Sequence, residues 1–232
     1  MFDYKYTDIT GITTNDLFNN ELLDFESVVS LKTGEICGGE NRNRKKNYSK
    51  PKDLKIAVFN HCDFRITNDR YLNFSGSVHE YFNNGDNSSD FFINDVFEVI
   101  KDINEKFNIN PFNERLHNIE FGVNIIIPFD VKTFLNSILT YKGKEYQRRE
   151  YKKNSGLKIS FVFEQYELRI YDKGRQKGRP ENLLRFEIKV TRMQFLESKG
   201  IRLRASADML NPEINSKLGK LLLETFNHLI FY

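Results

Sequence analysis

Three segments alternate polar and apolar residues, and this alternation constrains the chain more than any other feature. In 116–127, LHNIEFGVNIII, one side carries His117, Ile119, Phe121, Val123 and Ile125, and the other Asn118, Glu120, Gly122 and Asn124. In 167–173, Leu168 and Ile170 face inward while Glu167, Arg169, Tyr171 and Lys173 face outward. In 183–190, LLRFEIKV, the polar side is Arg185, Glu187 and Lys189. A period of two belongs to a strand with one buried face. If the three strands are neighbours, one sheet face gathers carboxylates, a tyrosine, a lysine and arginines.

Further strands read at 54–60, 70–78 and 158–163. Residues 94–107 predict a helix capped by Asn94 or Asp95, with Val96, Val99, Ile100, Ile103 and Phe107 at helical spacing. A helix capped by Asp130 is expected over 130–141, a short one over about 191–198, and a last one opening at Asn211-Pro212 with Leu218, Leu221, Leu222, Thr225 and Leu229 on one face. The apolar ending FNHLIFY reads as a fragment end or a terminus docked in a core. This order predicts an α+β fold, a central antiparallel sheet covered on one face by helices, with the other face free to hold a site. Residues 1–53 read as an N-terminal segment that ends in a basic flexible loop, and 54–232 as the main domain.

Twenty-one phenylalanines supply enough apolar material for a core. The net charge of +3 says little about a nucleic-acid partner, but the basic residues are clustered. The stretch YKGKEYQRREYKK (141–153) interleaves Arg148, Arg149 and four lysines with tyrosines, and KGRQKGR (173–179) adds Lys173, Arg175, Lys177 and Arg179. Cations among aromatics suit a DNA backbone and unstacked bases. A solvated lysine-rich loop is the plain alternative for each. The cysteines, Cys37 and Cys62, form no metal or disulfide pattern, and no histidine pair suggests a metal site. The opening MFDYKYTDIT lacks a signal-peptide pattern, and no stretch has the length of a membrane helix, so a cytoplasmic protein without a membrane partner is expected.

The polar face has a chemical reading. Carboxylates with an amide oxygen can hold a hard divalent cation, Mg²⁺ or Mn²⁺. A tyrosine oxygen beside it can attack phosphorus, and a nearby lysine can lower the phenol's pKa or balance phosphate charge. The plain alternative is a solvated face with cross-strand ion pairs.

Four segments carry a family resemblance. SGSVHEYFNNGDN (75–87) resembles a signature of filamentous-phage replication initiators. LHNIEFGVNIIIPF (116–129), LRIYDKG (168–174) and LLRFEIKV (183–190) resemble core strands of those proteins and of plasmid rolling-circle initiators of the Rep_trans type, related to HUH endonucleases. The resemblance covers about residues 54–210. It implies a Rep-like nuclease fold and a replication initiation protein: a metal-dependent, site-specific nickase that joins itself to a 5′ phosphate through tyrosine and later rejoins the strand. It implies Tyr171 as nucleophile with Lys173 beside it, Glu120, Glu187 and Asn118 as ligands of Mg²⁺ or Mn²⁺, and Arg185 as a phosphate contact. Arg148, Arg149, Arg169 and Arg175 are further DNA-binding candidates. The partner would be single-stranded or origin DNA, with a host helicase and a homodimer as further candidates. Two features depart from the pattern: no His-hydrophobe-His pair is present, and the tyrosine and lysine are two apart, in Tyr-x-Lys. Tyr166 and Tyr151 are rival nucleophiles. A non-catalytic DNA-binding module, and an interaction protein whose polar face is merely wet, are the competing functional classes.

Overall fold

The alternating segments pair as neighbours in one large antiparallel sheet. The computed structural model describes residues 2–27, 54–150 and 156–232, the side chains of 148–150 excepted. The strands are β1 (Phe2–Ile9), β2 (Glu26–Ser27), β3 (Leu54–Phe59), β4 (Cys62–Thr67), β5 (Tyr71–Ser77), β6 (Glu114–Ile126), β7 (Ile138–Tyr141), β8 (Lys144–Glu145), β9 (Gln147–Glu150), β10 (Leu157–Val162), β11 (Tyr166–Asp172), β12 (Leu183–Val190) and β13 (Leu229–Phe231). The helices are α1 (Thr14–Phe18), α2 (Val78–Phe82), α3 (Ile93–Phe107), α4 (Val131–Ser137), α5 (Lys173–Lys177), α6 (Gln194–Glu197) and α7 (Pro212–Asn227). Among the described residues the main sheet runs β2-β3-β4-β5-β1-β6-β12-β11-β10-β9, and a small sheet runs β13-β7-β8.

One face of the main sheet is the core. Phe107 of α3 packs 4.5 Å from Phe64 of β4, and Phe226 of α7 packs 5.7 Å from Phe186 of β12. Tyr141 of β7 lies 5.6 Å from Phe161 of β10 on that face. A fully buried ring such as Phe64 or Phe107 stabilises the fold by roughly 1.5–3 kcal/mol. The fold is therefore α+β with helices α3 and α7 on one sheet face, as the strand patterns predict. Among the described residues no helix is long and apolar enough to cross a membrane.

Several elements differ from the sequence reading. Residues 2–9, set apart with the N-terminal segment, form β1, which lies between β5 and β6 inside the sheet. β4 is an additional strand. It is joined to β3 by the two-residue turn of left-handed Asn60 and His61, which matches strand twist, and to β5 by the three residues Asn68, Asp69 and Arg70, the first two also left-handed. α3 starts one residue earlier than expected: Phe92 holds the cap position, and Asp95 accepts its N–H at 2.7 Å. The helix capped by Asp130 stops at Ser137, because 138–141 pair with the chain's last strand instead. Leu229 belongs to that strand rather than to α7, so the apolar ending is docked by pairing. His117 leaves the apolar side. The pairing of β1 and β6 slips between Tyr6 and Thr7, and this bulge turns His117 toward Asp8, 2.5 Å away.

Candidate active site

The register of three strands builds the site. Tyr171 stands opposite Arg185, Arg169 opposite Glu187, and Glu167 opposite Lys189. On the other side of β12, Arg185 faces Asn124, Glu187 faces Gly122 and Lys189 faces Glu120. Gly122 is required here. A Cβ at that position would lie 2.3 Å from the Phe186 carbonyl oxygen and 2.6 Å from Glu187 Cβ. Its absence lets Glu187 lean over β6.

This polar face is not a solvated surface. The side chains of Arg185 and Glu187 are each 3% exposed, and that of Glu120 is 12% exposed. Burying so many charges is tolerated only when each is paired. Arg185 binds Glu187 Oε2 at 3.1 Å, Asn124 Oδ1 at 3.2 Å and Asp3 Oδ2 at 3.3 Å. Arg169 binds Glu167 at 2.9 Å and Glu120 at 3.1 Å, and lies 3.5 Å from Glu187 Oε1. Lys189 adds a 2.8 Å contact to Glu120.

The segment 75–87 completes the walls. Ser77 caps α2 through its bond to the Glu80 N–H and also donates to Asp3. Asn87 donates to both Asp3 oxygens, and its own Oδ1 accepts from Lys173 at 2.6 Å. Lys177 reaches back to Glu80 at 3.0 Å and to the Gly85 carbonyl at 2.9 Å. The result is a cavity of about 320 Å³ lined by Asp3, Glu80, Asn87, Glu120, Lys158, Arg169, Tyr171, Lys173 and Glu187, among others.

Tyr171 lies in this cavity, and its hydroxyl donates to Glu187 Oε2 at 3.3 Å. The ammonium groups of Lys158 and Lys173 lie 5.2 and 5.7 Å from the centre of its ring. Burial, then the Glu187 charge, hold the phenol well above its ordinary pKa. It is therefore protonated, with a carboxylate waiting as acceptor. Burial likewise brings Lys173 down to about 8, within reach of proton exchange. Burial alone would raise Asp3, but Arg185, Ser77, Lys173 and Asn87 together hold it below the ordinary carboxylate value.

The sequence candidates divide clearly. Tyr171, Lys173, Glu120, Glu187 and Arg169 come together around one cavity. Arg185 is an internal strut whose donors are spent on protein partners, not an open phosphate contact. Arg175 is exposed, 3.5 Å from Asp172 and 3.9 Å from Asp130. The other cations of its cluster are also engaged internally, Arg179 with Asp86 at 2.8 Å. Tyr166 points to the opposite, core face. It stacks on Phe163 at 4.7 Å and Phe195 at 4.1 Å, which removes it as a rival nucleophile. Arg148 and Arg149 lie in β9 opposite Ile159 and Lys158, but their side chains, like Tyr151, fall outside the described residues. The sequence reading missed Asp3, Ser77, Asn87 and Lys158. The SGSVHEYFNNGDN motif held a signal for Ser77 and Asn87; nothing local marked Asp3.

Asn118 Oδ1 is buried without a hydrogen-bond partner, as a waiting ligand would be. Glu120 and Glu187, however, are bridged by the Arg169 guanidinium, and Lys189 also neutralises Glu120. Among the described residues no three His, Cys, Asp or Glu side chains converge as a cation site. The residues as arranged do not fit a divalent ion, because guanidinium and ammonium groups already hold the place of its charge.

No family model matches the chain, and no curated protein matches it. Among solved structures, a rolling circle replication initiator protein from Geobacillus stearothermophilus superposes with a TM-score of 0.47 at 13% identity, covering 99% of this chain and 84% of that one.

Proposed function

We propose that this chain is a replication initiator that cleaves and rejoins one DNA strand through Tyr171. The observation that carries this reading is the Tyr171–Glu187 hydrogen bond inside a cavity walled by Lys158, Lys173 and Arg169. Further support comes from the four segments that carry the family resemblance. Each contributes a side chain to the same cavity: Asn87, Glu120, Tyr171 and Glu187.

In this reading the phenol gives its proton to Glu187 as its oxygen attacks phosphorus. The Tyr–O–P bond forms and the P–O3′ bond breaks. Lys173 returns a proton to the departing 3′ oxygen, leaving a free 3′ hydroxyl and a 5′-phosphotyrosine. Lys158 balances charge on the non-bridging oxygens, while Arg169 stays paired with the carboxylates around it. Rejoining is the same step in reverse. No metal step is included, since the carboxylates are already compensated by cationic side chains.

A second reading is favoured by the burial of the phenol, which keeps it protonated: a DNA-binding module of the same fold with no chemistry. The discriminating experiment incubates the chain with single-stranded origin DNA, with Mn²⁺ and separately with EDTA, and looks for a denaturant-resistant adduct. An adduct lost in Tyr171→Phe supports cleavage. Salt-sensitive binding without an adduct supports the second reading. An adduct that survives Tyr171→Phe moves the nucleophile elsewhere, with Tyr151 the first candidate.

A further inference from the structure

A second cavity, of about 450 Å³, adjoins the charged one. Arg185 lines the second cavity and links the two, binding Glu187 of the first and Asn124 of the second. The chemistry of the two spaces differs. The second is walled by Phe91, Phe92, Ile93 and Val123. The His79 ring lies flat on Phe91, centroids 4.6 Å apart and planes 13° from parallel. Its other polar groups include the uncharged Ser89, Asn124 and Asn215, which are engaged within the protein: the Asn124 amide donates to the carbonyls of residues 87–89 and its Oδ1 accepts from Arg185, the Asn215 amide donates to the Met209 and Asn211 carbonyls, and Ser89 Oγ accepts from Asn83. Burial brings His79 down to about 4, so its imidazole is neutral as well. Besides Arg185, charge enters this lining through Asp90, which is exposed.

The first cavity is lined by charges of both signs, Lys158 and Lys173 among them, and the second is mostly neutral. Apolar walls beside polar groups that are already paired suit the face of a planar, uncharged ring. A DNA strand offers both chemistries side by side: a charged phosphate, and a neutral base attached to it.

We propose that the second cavity receives one nucleobase of a DNA strand whose phosphate lies in the charged cavity. The proposal rests on the DNA-cleavage reading and deepens it, since it names a base-binding subsite next to the phosphate that Tyr171 attacks. Apolar contact of this kind is lost when the pocket is filled.

Val123→Trp and Ile93→Trp fill the pocket from two different elements, and neither residue lines the charged cavity. The probe is a set of deoxynucleoside 5′-monophosphates titrated into the full chain and followed by amide NMR shifts. Saturable binding is expected, weakened about tenfold or more in both variants. No saturable binding to the wild type, or equal affinity in the wild type and in folded variants, overturns the proposal. A second measurement needs no variant. A single abasic position is walked along a single-stranded oligonucleotide, and one position should weaken binding about tenfold while its neighbours do not. A flat profile also overturns it. Failure of the two readings is separable. Nucleotide binding without any Tyr171 adduct leaves the subsite standing and removes the chemistry. An adduct with a flat abasic profile keeps the chemistry and removes the subsite.

Discussion

Tyr171 and Glu187 meet diagonally across adjacent strands. Their backbones are not directly opposed, since Tyr171 faces Arg185 and Glu187 faces Arg169, yet the phenol donates to Glu187 Oε2 at 3.3 Å. The diagonal leaves Arg169 across the strand pair and Arg185 two residues back on the same strand to hold the carboxylate from both sides. Glu187 is thus oriented before any substrate arrives, which is what a proton acceptor requires. Glu187→Gln should slow adduct formation by about 10²- to 10⁴-fold while single-stranded DNA binding is kept. Time courses of adduct formation beside binding isotherms check this. Cleavage at the wild-type rate would mean that the phenol uses another acceptor.

Gly122 sets the room available to Glu187. Gly122→Ala drives a methyl group against the Phe186 carbonyl and the Glu187 side chain. The expected cost is about 1–3 kcal/mol in urea unfolding, with a loss of adduct yield beyond what unfolding explains. An unaltered unfolding midpoint would show that β6 and β12 separate there more easily than their register implies.

Arg185 joins Asp3, Asn124 and Glu187 in a buried cluster. Arg185→Met leaves two buried carboxylates without their main compensation, so a loss of about 3–5 kcal/mol is expected. Adding Asp3→Asn should recover part of it, which a double-mutant cycle in urea measures. Purely additive losses would count against coupling between Asp3 and Arg185.

His79 gives a stability–pH signature. Burial lowers it from 6.5 to about 4, so between those values the unfolded chain takes up a proton that the folded chain refuses. Stability from this group is full above the ordinary value and falls as the pH drops toward about 4, by about 3 kcal/mol in all. His79→Gln should flatten that slope in urea unfolding measured across the interval. An equal slope in both proteins would assign it to other groups.

Lys173 gives an activity–pH signature. Burial brings it from 10.5 to about 8, so it is a cation below that value and neutral above it. If it returns the proton to the 3′ oxygen, the adduct rate should fall as the pH rises through about 8, and Lys173→Arg should remove the break. A break that persists in the arginine variant belongs to another group.

Much of the right half of the sheet was legible in the sequence. LRIYD and LLRFEIKV show a clean period of two, and their polar residues do share one face. Alternation could not reveal whether that face was wet. Glu120, Arg169 and Glu187 in a strand pattern look alike whether solvated or buried in mutual ion pairs. The difference depends on what covers them, here the α2–Asn87 segment and α5. Asp3 was invisible for a related reason. Its strand alternates through Thr7, but nothing in those eight residues says that they fill the gap between β5 and β6.

The helix 130–141 shows local preference yielding to distant pairing. Asp130 does cap a helix, but Ile138–Tyr141 gain more by pairing with Leu229–Phe231 than by a further turn. The His117 bulge is similar: one slipped residue in the pairing with β1 moved a side chain that strict alternation placed in the core.

By itself, the sequence determined which residues alternate, and hence that an antiparallel sheet presents Tyr171, Arg169 and Glu187 together, because side-chain direction along a strand follows from backbone geometry alone. Tertiary structure decided that the cluster is buried and paired, that Arg169 stands between Glu120 and Glu187, and that Asp3 and Asn87 close the wall. Those outcomes depend on segments far apart in the chain arriving at one place, and no local pattern encodes a meeting of that kind.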